Sequence, residues 1–522
     1  MPHGIETGLI DRIAPMAREL VTSEARGLAD LRYADVRVEV SESKFAGAEN
    51  GQPKSSGDDY AFAFGIRVLA GHRMIAPGYF GRGLGAADLP HLARLLREGL
   101  HAAYRRAMAN AELKAQVKGK FGGLGDALAD TRLHPIPVRQ AVVDAVFEVD
   151  PRGVALDDMV AFTTDVSRRV AAFDAHVSYN YISTLTQLAR ELFASSEGAL
   201  IDQSFALTQG MCYVVATGPD NSQELYDVLG HQRGWEILTR GVAEPLIEFP
   251  PFPEFALAIA RDGVELCQAP ALAAPAGEVI VVTDPHYNTL LSHEIVGHPV
   301  ELDRGLKMET AYAGRSWLLR GLDDTQLGRQ IASPLVTAFS DPSLPGYGHY
   351  DYDHEGTPAR RVVHIDRGVF TGFMNSRQTA AVFGGDPNGH WKATDASLVP
   401  LVRMSSTVFE GGDRAPEDLI REVDHGYYLV GHRTPSIAES RENFRISARR
   451  VYEIERGEIG RLYRDGGIMA DSRDYLMNVD GVARDFRLYP IPNCGKGQPM
   501  QTRKLGNGGP TMRSRAILTG GA

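Results

Sequence analysis

Hydrophobic positions near the start of the chain follow first a helical spacing and then a strand spacing. Residues 5–30 carry apolar side chains three and four positions apart, which predicts a helix. Residues 34–40 alternate valine with polar residues, and residues 60–70 are similarly rich in strand-forming types, which predicts two strands. An amphipathic pattern over residues 86–117 predicts a long second helix. We therefore expect an N-terminal α/β lobe with long helices over residues 1–125.

The pattern changes in the middle of the chain. Residues 133–138 are dense in proline and predict a linker, because proline discourages regular structure. A helical pattern follows at residues 156–173, and short strands are expected from there to about Val215. The proline-rich residues 248–253 then interrupt the chain. We expect a middle α/β region over residues 126–247.

The last part of the chain predicts strands more than helices. Beyond His298 the helical pattern fades, and short apolar runs such as residues 361–370 and 450–460 alternate with glycine and aspartate. Turn signals at a spacing of roughly 8–12 residues are typical of a β-sandwich or barrel. The overall expectation is an α+β protein whose C-terminal domain, residues 248–522, is β-rich and sandwich-like or barrel-like.

One helix in this β-rich domain is marked by strong start signals. The run at residues 277–283 is rich in valine and isoleucine and predicts a buried strand. Asp284 directly after it is a good N-cap, and Pro285 fits the first helical position. We expect a helix over residues 285–302.

This helix carries a candidate metal motif. His293 is followed directly by Glu294 and then, five positions on, by His298, and two histidines with an adjacent glutamate are typical of a zinc site with its own general base. Histidines five apart point about 140° apart on an ideal helix of roughly 3.6 residues per turn. A π-bulge near residues 296–298 would bring them together, and Gly297 tolerates that distortion.

A third ligand is expected among the cysteines. The chain has three, an odd number without paired spacing, which argues against a disulfide framework. Cys212 and Cys267 lie in apolar runs and predict inert buried thiols. Cys494 lies in a polar glycine-rich segment with Lys496 two residues on, where positive charge or a metal favours the thiolate. Cys494 is therefore the candidate ligand, placed in a predicted loop.

Together these motifs resemble the TldD/PmbA family of metallopeptidases. The resemblance rests on the His-Glu-x-x-Gly-His motif with Glu301 and Asp303 after it, on Cys494-Gly-Lys-Gly-Gln, and on the terminal Leu518-Thr-Gly-Gly. It implies zinc held by His293, His298 and Cys494, with Glu294 as the base. The zinc motif is typical of the catalytic TldD subunit and not of its partner TldE. The loop at Cys494 is one residue shorter than is usual in the family.

Composition narrows the function classes. A net charge of −11 argues against nucleic-acid binding, because phosphate contacts require a basic surface. No apolar stretch approaches the roughly 20 residues of a membrane span, and the N-terminus has no signal-peptide pattern. Apolar residues make up 43% of the chain, enough for sizeable cores. We expect no nucleic-acid or membrane partner and a cytoplasmic location.

The expected function is zinc-dependent hydrolysis of peptide bonds in unfolded or short peptides. Glu294 is the expected catalytic base, and Gly495, Lys496 and His354 are candidate substrate contacts. The resemblance also implies a dimer, either with a second copy or with a partner that lacks the motif. Two alternatives stay open: a non-catalytic peptide-binding or regulatory protein with structural zinc, and a site like that of dipeptidyl peptidase III with Glu355 as third ligand.

Overall fold

The structure is a computed structural model that describes residues 8–120, 129–309, 311 and 314–521. The predicted domain boundary after residue 125 lies outside the described residues. No helix in these ranges is long and apolar enough to cross a membrane.

Strands dominate the described part of the chain. Numbered in chain order, they are β1 Leu31–Glu49, β2 Gln52–Ala70, β3 Ala76–Leu84, β4 Gln140–Val143, β5 Val177–Ser195, β6 Leu200–Thr217, β7 Ser222–His231, β8 Val242–Ala243, β9 Glu248–Phe249, β10 Glu278–Thr283, β11 Leu319–Gly321, β12 Asp324–Thr325, β13 Ala338–Ser340, β14 Val362–Asp366, β15 Val369–Phe370, β16 Trp391–Lys392, β17 Leu401–Val402, β18 Ser406–Phe409, β19 His425–Ile437, β20 Asn443–Glu455, β21 Glu458–Tyr463, β22 Gly467–Asp471, β23 Gly481–Val482, β24 Arg487–Lys496, β25 Gln501–Gly509 and β26 Met512–Thr519.

Helices are fewer and concentrate in the first 300 residues. The α-helices are α1 Leu9–Glu19, α2 Leu92–Lys120, α3 Leu156–Ala171, α4 Glu236–Arg240, α5 Phe252–Gln268, α6 Pro285–Leu291, α7 Leu302–Gly305, α8 Arg377–Phe383, α9 Pro416–Arg421 and α10 Ser472–Met477. Short 3-10 or π-helical turns occupy Leu20–Glu24, Ala25–Gly27, Ala86–His91, Pro151–Gly153 and Ser292–Gly297.

The first seven strands form one sheet in the order β3-β2-β1-β5-β6-β4, with β7 also paired to β6. Val36, Val38 and Val40 of β1 point to one face, where they form a core with α1 and α2. The prediction of short strands up to residue 215 is wrong, because β5 and β6 have 19 and 18 residues. The sequence shows alternation but not how far pairing extends, and here β5 lies between two long neighbours, β1 and β6.

Strands β10, β19, β20, β22 and β26 form a sheet that closes on itself. Neighbours pair in the order β10-β19-β20-β22-β26, and β26 pairs back to β10. Closure removes free edges from a sheet, which is the defining property of a barrel. The expected α+β class with a β-rich C-terminal part is confirmed, and its barrel-like element is this closed sheet.

A third sheet completes the C-terminal part, in the order β15-β14-β13-β18-β25-β24. Helix α6 and the π-helical Ser292–Gly297 are buried in the core between this sheet and the closed sheet. The polar face of the N-terminal sheet packs on the C-terminal part through Arg37 and Arg67, which contact His354 and Glu355. The division into domains 1–125, 126–247 and 248–522 stays a proposal.

Candidate metal centre

The motif helix starts as predicted and widens as predicted. The Asp284 carboxylate caps it by accepting a hydrogen bond from the Tyr287 N–H at 2.7 Å. After Leu291 the chain is π-helical over Ser292–Gly297, and the His298 N–H donates to the His293 carbonyl at 3.1 Å. A bond between residues five apart defines the π-helix and turns both rings the same way. The π-bulge is therefore confirmed.

The predicted helix does not continue to residue 302. It ends at Gly297, and a turn follows before α7 begins at Leu302. Pro299 accounts for the stop, since it has no N–H to donate and its ring clashes with the preceding turn.

Gly297 has a different role from the one expected. A Cβ atom on this residue would lie 1.9 Å from the Met404 sulfur. A larger residue would therefore force the Met404 side chain to shift, and Gly297 is not among the residues with a positive φ. A single sequence does not reveal such a close approach.

The structure brings the three predicted ligands together. The ligand atoms of His293, His298 and Cys494 all lie within 4.8 Å of one another, and all three residues are buried. The Cys494 Sγ is 3.7 Å from the His298 Nε2. The expectation of a loop at Cys494 is wrong, because Cys494 lies in β24, paired with Arg503 of β25. Two imidazoles and a thiol are a donor set that zinc prefers.

Two side chains orient the histidine rings. The His298 Nδ1 is 3.2 Å from the Glu301 carboxylate, and the His293 Nδ1 is 3.4 Å from the Asn507 amide oxygen. Asn507 is itself fixed, since its amide donates to the Thr407 carbonyl at 2.9 Å. The acceptor at the His293 Nδ1 favours the tautomer that leaves its Nε2 available for a metal, whereas the His298 Nδ1 faces both the Glu301 carboxylate and the Arg304 Nη2.

Buried charges hold Glu301 in place. The Arg304 Nη2 donates to Glu301 at 2.5 Å and also lies 3.0 Å from the His298 Nδ1. The Lys496 ammonium lies 3.3 Å from Glu301 and donates to Asp303 at 2.7 Å. Burial raises the pKa of Glu301, but the positive charges of Lys496 and Arg304 outweigh it and hold the pKa well below its usual range.

The structure places Lys496 beneath the metal centre. Its side chain is fully buried, and besides Asp303 the ammonium donates to the Val402 carbonyl at 2.8 Å. This placement does not support the predicted contact with substrate. Gly495 lies beside Cys494 in β24, and a Cβ there would lie 3.0 Å from the Met500 sulfur.

The thiol lies in a positive environment. Burial raises the pKa of Cys494, but the positive charges of His293, His298 and Arg403 outweigh that effect and hold the pKa well below the usual thiol value. Arg403 also donates a hydrogen bond to the Cys494 carbonyl. Burial lowers the pKa of His293, yet the nearby Cys494 raises it to about 9. Thiolate and imidazole thus stabilise each other's charged forms.

Glu294 lies beside the ligands with its carboxylate held by an arginine. Arg441, from the turn between β19 and β20, donates to the Glu294 Oε2 at 2.5 Å. Burial raises the pKa of Glu294, but His298, His293 and Arg441 together lower it below its usual value. The carboxylate is therefore charged at neutral pH.

Two further candidates lie at the contact with the N-terminal sheet. The His354 Nδ1 is 2.8 Å from Arg37, and its Nε2 is 3.0 Å from the Glu191 carboxylate. The Glu355 carboxylate accepts from Arg67 at 3.1 Å and from the Arg377 N–H at 2.5 Å. Neither residue belongs to the metal-ligand group in the described part of the chain.

Sequence reasoning missed four residues of the centre. Arg304 lies six positions after His298 and could have been found by looking for charges near the motif. Asn507, Arg403 and Arg441 come from distant strands and turns, and no local pattern marks them. Cys212 and Cys267 are buried free thiols, as predicted.

Comparison with known proteins agrees with this arrangement. Residues 276–521 match the family model described as PmbA/TldA metallopeptidase C-terminal domain, and residues 34–111 match PmbA/TldA metallopeptidase domain 1. A metalloprotease of Methanothermobacter thermautotrophicus is 32% identical over 68% of this chain and 72% of its own. A zinc metalloprotease TldD homolog of Saccharolobus solfataricus is 28% identical over 47% of this chain and 52% of its own.

A solved structure supports the fold. TldE from Thermococcus kodakarensis superposes with a TM-score of 0.66 at 16% identity, over 98% of this chain and 99% of that one. At this identity the likeness concerns the fold alone. The family model, the relatives and the shared fold together establish that this chain belongs to the TldD/PmbA family of metallopeptidases.

Proposed function

We propose that this protein is a zinc-dependent peptidase, with zinc held by His293, His298 and Cys494 and with Glu294 as the base. The observation that carries the proposal is the convergence of three buried donors within 4.8 Å directly beside a charged carboxylate. A purely structural zinc site has no use for such a carboxylate. The names of the relatives, metalloprotease and zinc metalloprotease, support the same reaction class.

Zinc in this site would act as a Lewis acid that polarises a carbonyl and lowers the pKa of water. Arg441 holds the Glu294 Oε2, so Oε1 is the oxygen that we assign to proton transfer. Glu294 accepts a proton from the attacking water and returns it to the leaving amine. Glu301 and Asn507 keep the two imidazoles oriented throughout.

The alternative with a glutamate as third ligand receives no support from the geometry. The Glu355 carboxylate already accepts from Arg67 and from the Arg377 N–H, and its burial is complete. Cys494, by contrast, lies beside both histidines.

The proposal extends to substrate and assembly. We expect short or unfolded peptides bound in extended form, because backbone pairing to a sheet gives affinity with little side-chain selection. We also expect a dimer, with a second copy or with a partner lacking the zinc motif, and the shared fold with TldE makes a partner of that kind reasonable. The free cysteines agree with a cytoplasmic location.

Zinc content and activity test the proposal together. Metal analysis of the purified chain should give about one zinc per chain, and a denatured peptide library should be cleaved, with the products read by mass spectrometry. Cys494→Ala should lose most of the zinc and the cleavage, because a catalytic zinc site relies on three protein ligands.

Cys212→Ala is the matched control, since Cys212 is also buried but lies in a different hydrophobic core and outside the ligand group. It should retain metal and cleavage. Full zinc retention in Cys494→Ala would refute the ligand assignment, and a zinc-loaded wild-type protein that cuts no peptide would refute the function.

A further inference from the structure

A cleft opens beside the metal centre. Its volume is about 310 Å³, and it is lined among others by Arg304, Ser316, Trp317 and Ser440. Arg304 contacts the His298 ring, and the Ser316 hydroxyl donates to the carbonyl of Pro299, the residue after His298. Ser440 precedes Arg441, which binds Glu294. Residues that line the cleft therefore contact the ligand His298 and adjoin Arg441, which binds the base.

Arg304, which lines this cleft, carries hydrogen-bond donors without partners. The residue is fully buried, and only its Nη2 is engaged, with Glu301 and His298. Its Nε and Nη1 have no hydrogen-bond partner among the residues that the structure describes. The Trp317 indole N–H, in the same cleft, also lacks one within those residues. Buried donors without partners are costly, so their presence in a cleft indicates a ligand that accepts hydrogen bonds.

The charge of the cleft specifies the ligand further. Four of its lining side chains are basic and one is acidic: Arg304, Lys307, Arg315 and Arg320 against Glu442. Glu442 is 2.5 Å from Arg320 and so balances that charge. Lys307 and Arg315 are exposed at the rim, where Arg315 has only a loose 3.8 Å contact with Glu439.

The neighbouring space continues the cleft. A second cavity of about 470 Å³ shares Trp317, Arg320 and Glu442 with the first. Its further lining includes three aspartates, so the excess of positive charge is confined to the end near the metal centre. An extended chain could occupy both cavities with its anionic group at the basic end.

We propose that this cleft binds a carboxylate of the peptide substrate, with Arg304 as the buried donor and with Lys307 and Arg315 attracting the charge at the rim. The inference rests on the proposed peptidase function and adds a specificity to it. The Arg304 guanidinium can donate one charge-assisted hydrogen bond to a carboxylate oxygen from an unpartnered N–H group, and such bonds are strong ones. The carboxylate is either the C-terminus of the peptide or an acidic side chain.

Calorimetric binding to the full-length Glu294→Gln variant, loaded with zinc, tests the inference without turnover. The probes are an acetylated penta-alanine with a free C-terminus, its C-terminal amide, and amidated versions with Glu or Gln at each position. At least one carboxylate form should bind about tenfold more tightly than its neutral match, as one charge-assisted hydrogen bond provides. Preference for the free C-terminus identifies that source, and preference for Glu over Gln identifies a side chain.

The double variant Lys307→Gln/Arg315→Gln in the same background should reduce the preference by about threefold to tenfold. The control is Arg367→Gln/Arg456→Gln, because these exposed basic residues lie in turns elsewhere and Arg367, like Lys307, has a positive φ. The control should keep the wild-type preference.

Equal binding of charged and neutral peptides would overturn the inference, as would a preference that the rim variant leaves unchanged. These outcomes are separable from failure of the function. A wild-type protein that binds carboxylate peptides selectively but never cleaves them would refute the peptidase and leave the cleft's specificity standing.

Discussion

The chain contains two buried His-Glu pairs with opposite surroundings. His293-Glu294 lies on the π-helical turn beside Cys494, whereas His354-Glu355 lies where the C-terminal part meets the N-terminal sheet. The dipeptide is the same, and both pairs are almost completely buried. Differences in chemistry between the two pairs therefore come from the residues around them.

Hydrogen bonding distinguishes them first. His354 is engaged at both ring nitrogens, since Nδ1 faces Arg37 and the Ala393 N–H while Nε2 faces Glu191. His293 is engaged at Nδ1 by Asn507, and its ring lies within ligand distance of Cys494. A histidine can hold a metal only when one nitrogen is left for it.

Charge distinguishes them next. Burial lowers the pKa of His354 and the adjacent Lys392 lowers it further, so the pKa lies well below the ordinary value. Burial also lowers the pKa of His293, but there the thiolate of Cys494 reverses the effect. The cationic Lys392 keeps the His354 ring neutral, whereas the anionic Cys494 favours a positive charge at the His293 ring. The lesson is that the neighbours, and not the dipeptide, decide between a structural and a metal-binding histidine.

The largest effect should come from breaking the ion pairs around Glu355. Arg67→Met leaves Glu355 and Asp35 as buried carboxylates without their cation, at 0% and 3% side-chain exposure. Removing one partner of a buried pair destabilises a protein by about 3–5 kcal/mol. Urea unfolding measures the change. Arg94→Met, in an exposed pair with Glu98, should cost at most about 0.5 kcal/mol and serves as the control.

At the other pair, Glu294→Gln should abolish chemistry without loss of metal. The amide has nearly the same shape but cannot accept the proton, so peptide cleavage should fall by at least about 10²-fold. Steady-state cleavage and zinc analysis on the same sample measure both quantities. Glu355→Gln, the same change in the second pair, should cleave near the wild-type rate per folded molecule. Equal losses in both variants would contradict the assignment of Glu294 as the catalytic base.

A smaller effect, on zinc affinity, is expected from Glu301, which contacts the ligand His298. Glu301→Gln weakens the acceptor at the His298 Nδ1, and loss of such a partner lowers metal affinity about 10–100-fold. Competition with a zinc chelator gives the affinity. Glu191→Gln makes the same change beside His354 and should leave zinc affinity as it is. A drop in zinc affinity in the Glu191 variant would contradict the separation of the two sites.

The smallest effect concerns acid stability. His354 has a depressed pKa in the fold, so below about pH 6.5 the unfolded chain binds a proton that the folded chain does not. Stability is therefore lost as the pH falls from there toward the depressed pKa, by up to about 1.4 kcal/mol per pH unit for this ring. Urea unfolding of His354→Gln from pH 7 to 5 should show a shallower decline than the wild type. Parallel curves would exclude this ring as a contributor.

The sequence by itself determined the local features of this protein. Asp284, Pro285 and the five-residue histidine spacing predicted the helix, its start and its π-bulge, because caps and side-chain direction depend on residues a few positions apart. Alternating valines predicted β1 for the same reason. The α+β class followed from the change between the helical spacing of apolar residues, three and four positions apart, and the alternation that is typical of strands.

Tertiary structure decided everything that joins distant residues. Only the fold placed Cys494 on a strand beside the histidines. It also buried Lys496 against Glu301 and Asp303. It paired Glu355 with Arg67. It likewise packed the Met404 side chain against Gly297. Burial and partners set the pKa and the available donors of a side chain, and both depend on segments 100 to 300 residues away that no local pattern encodes.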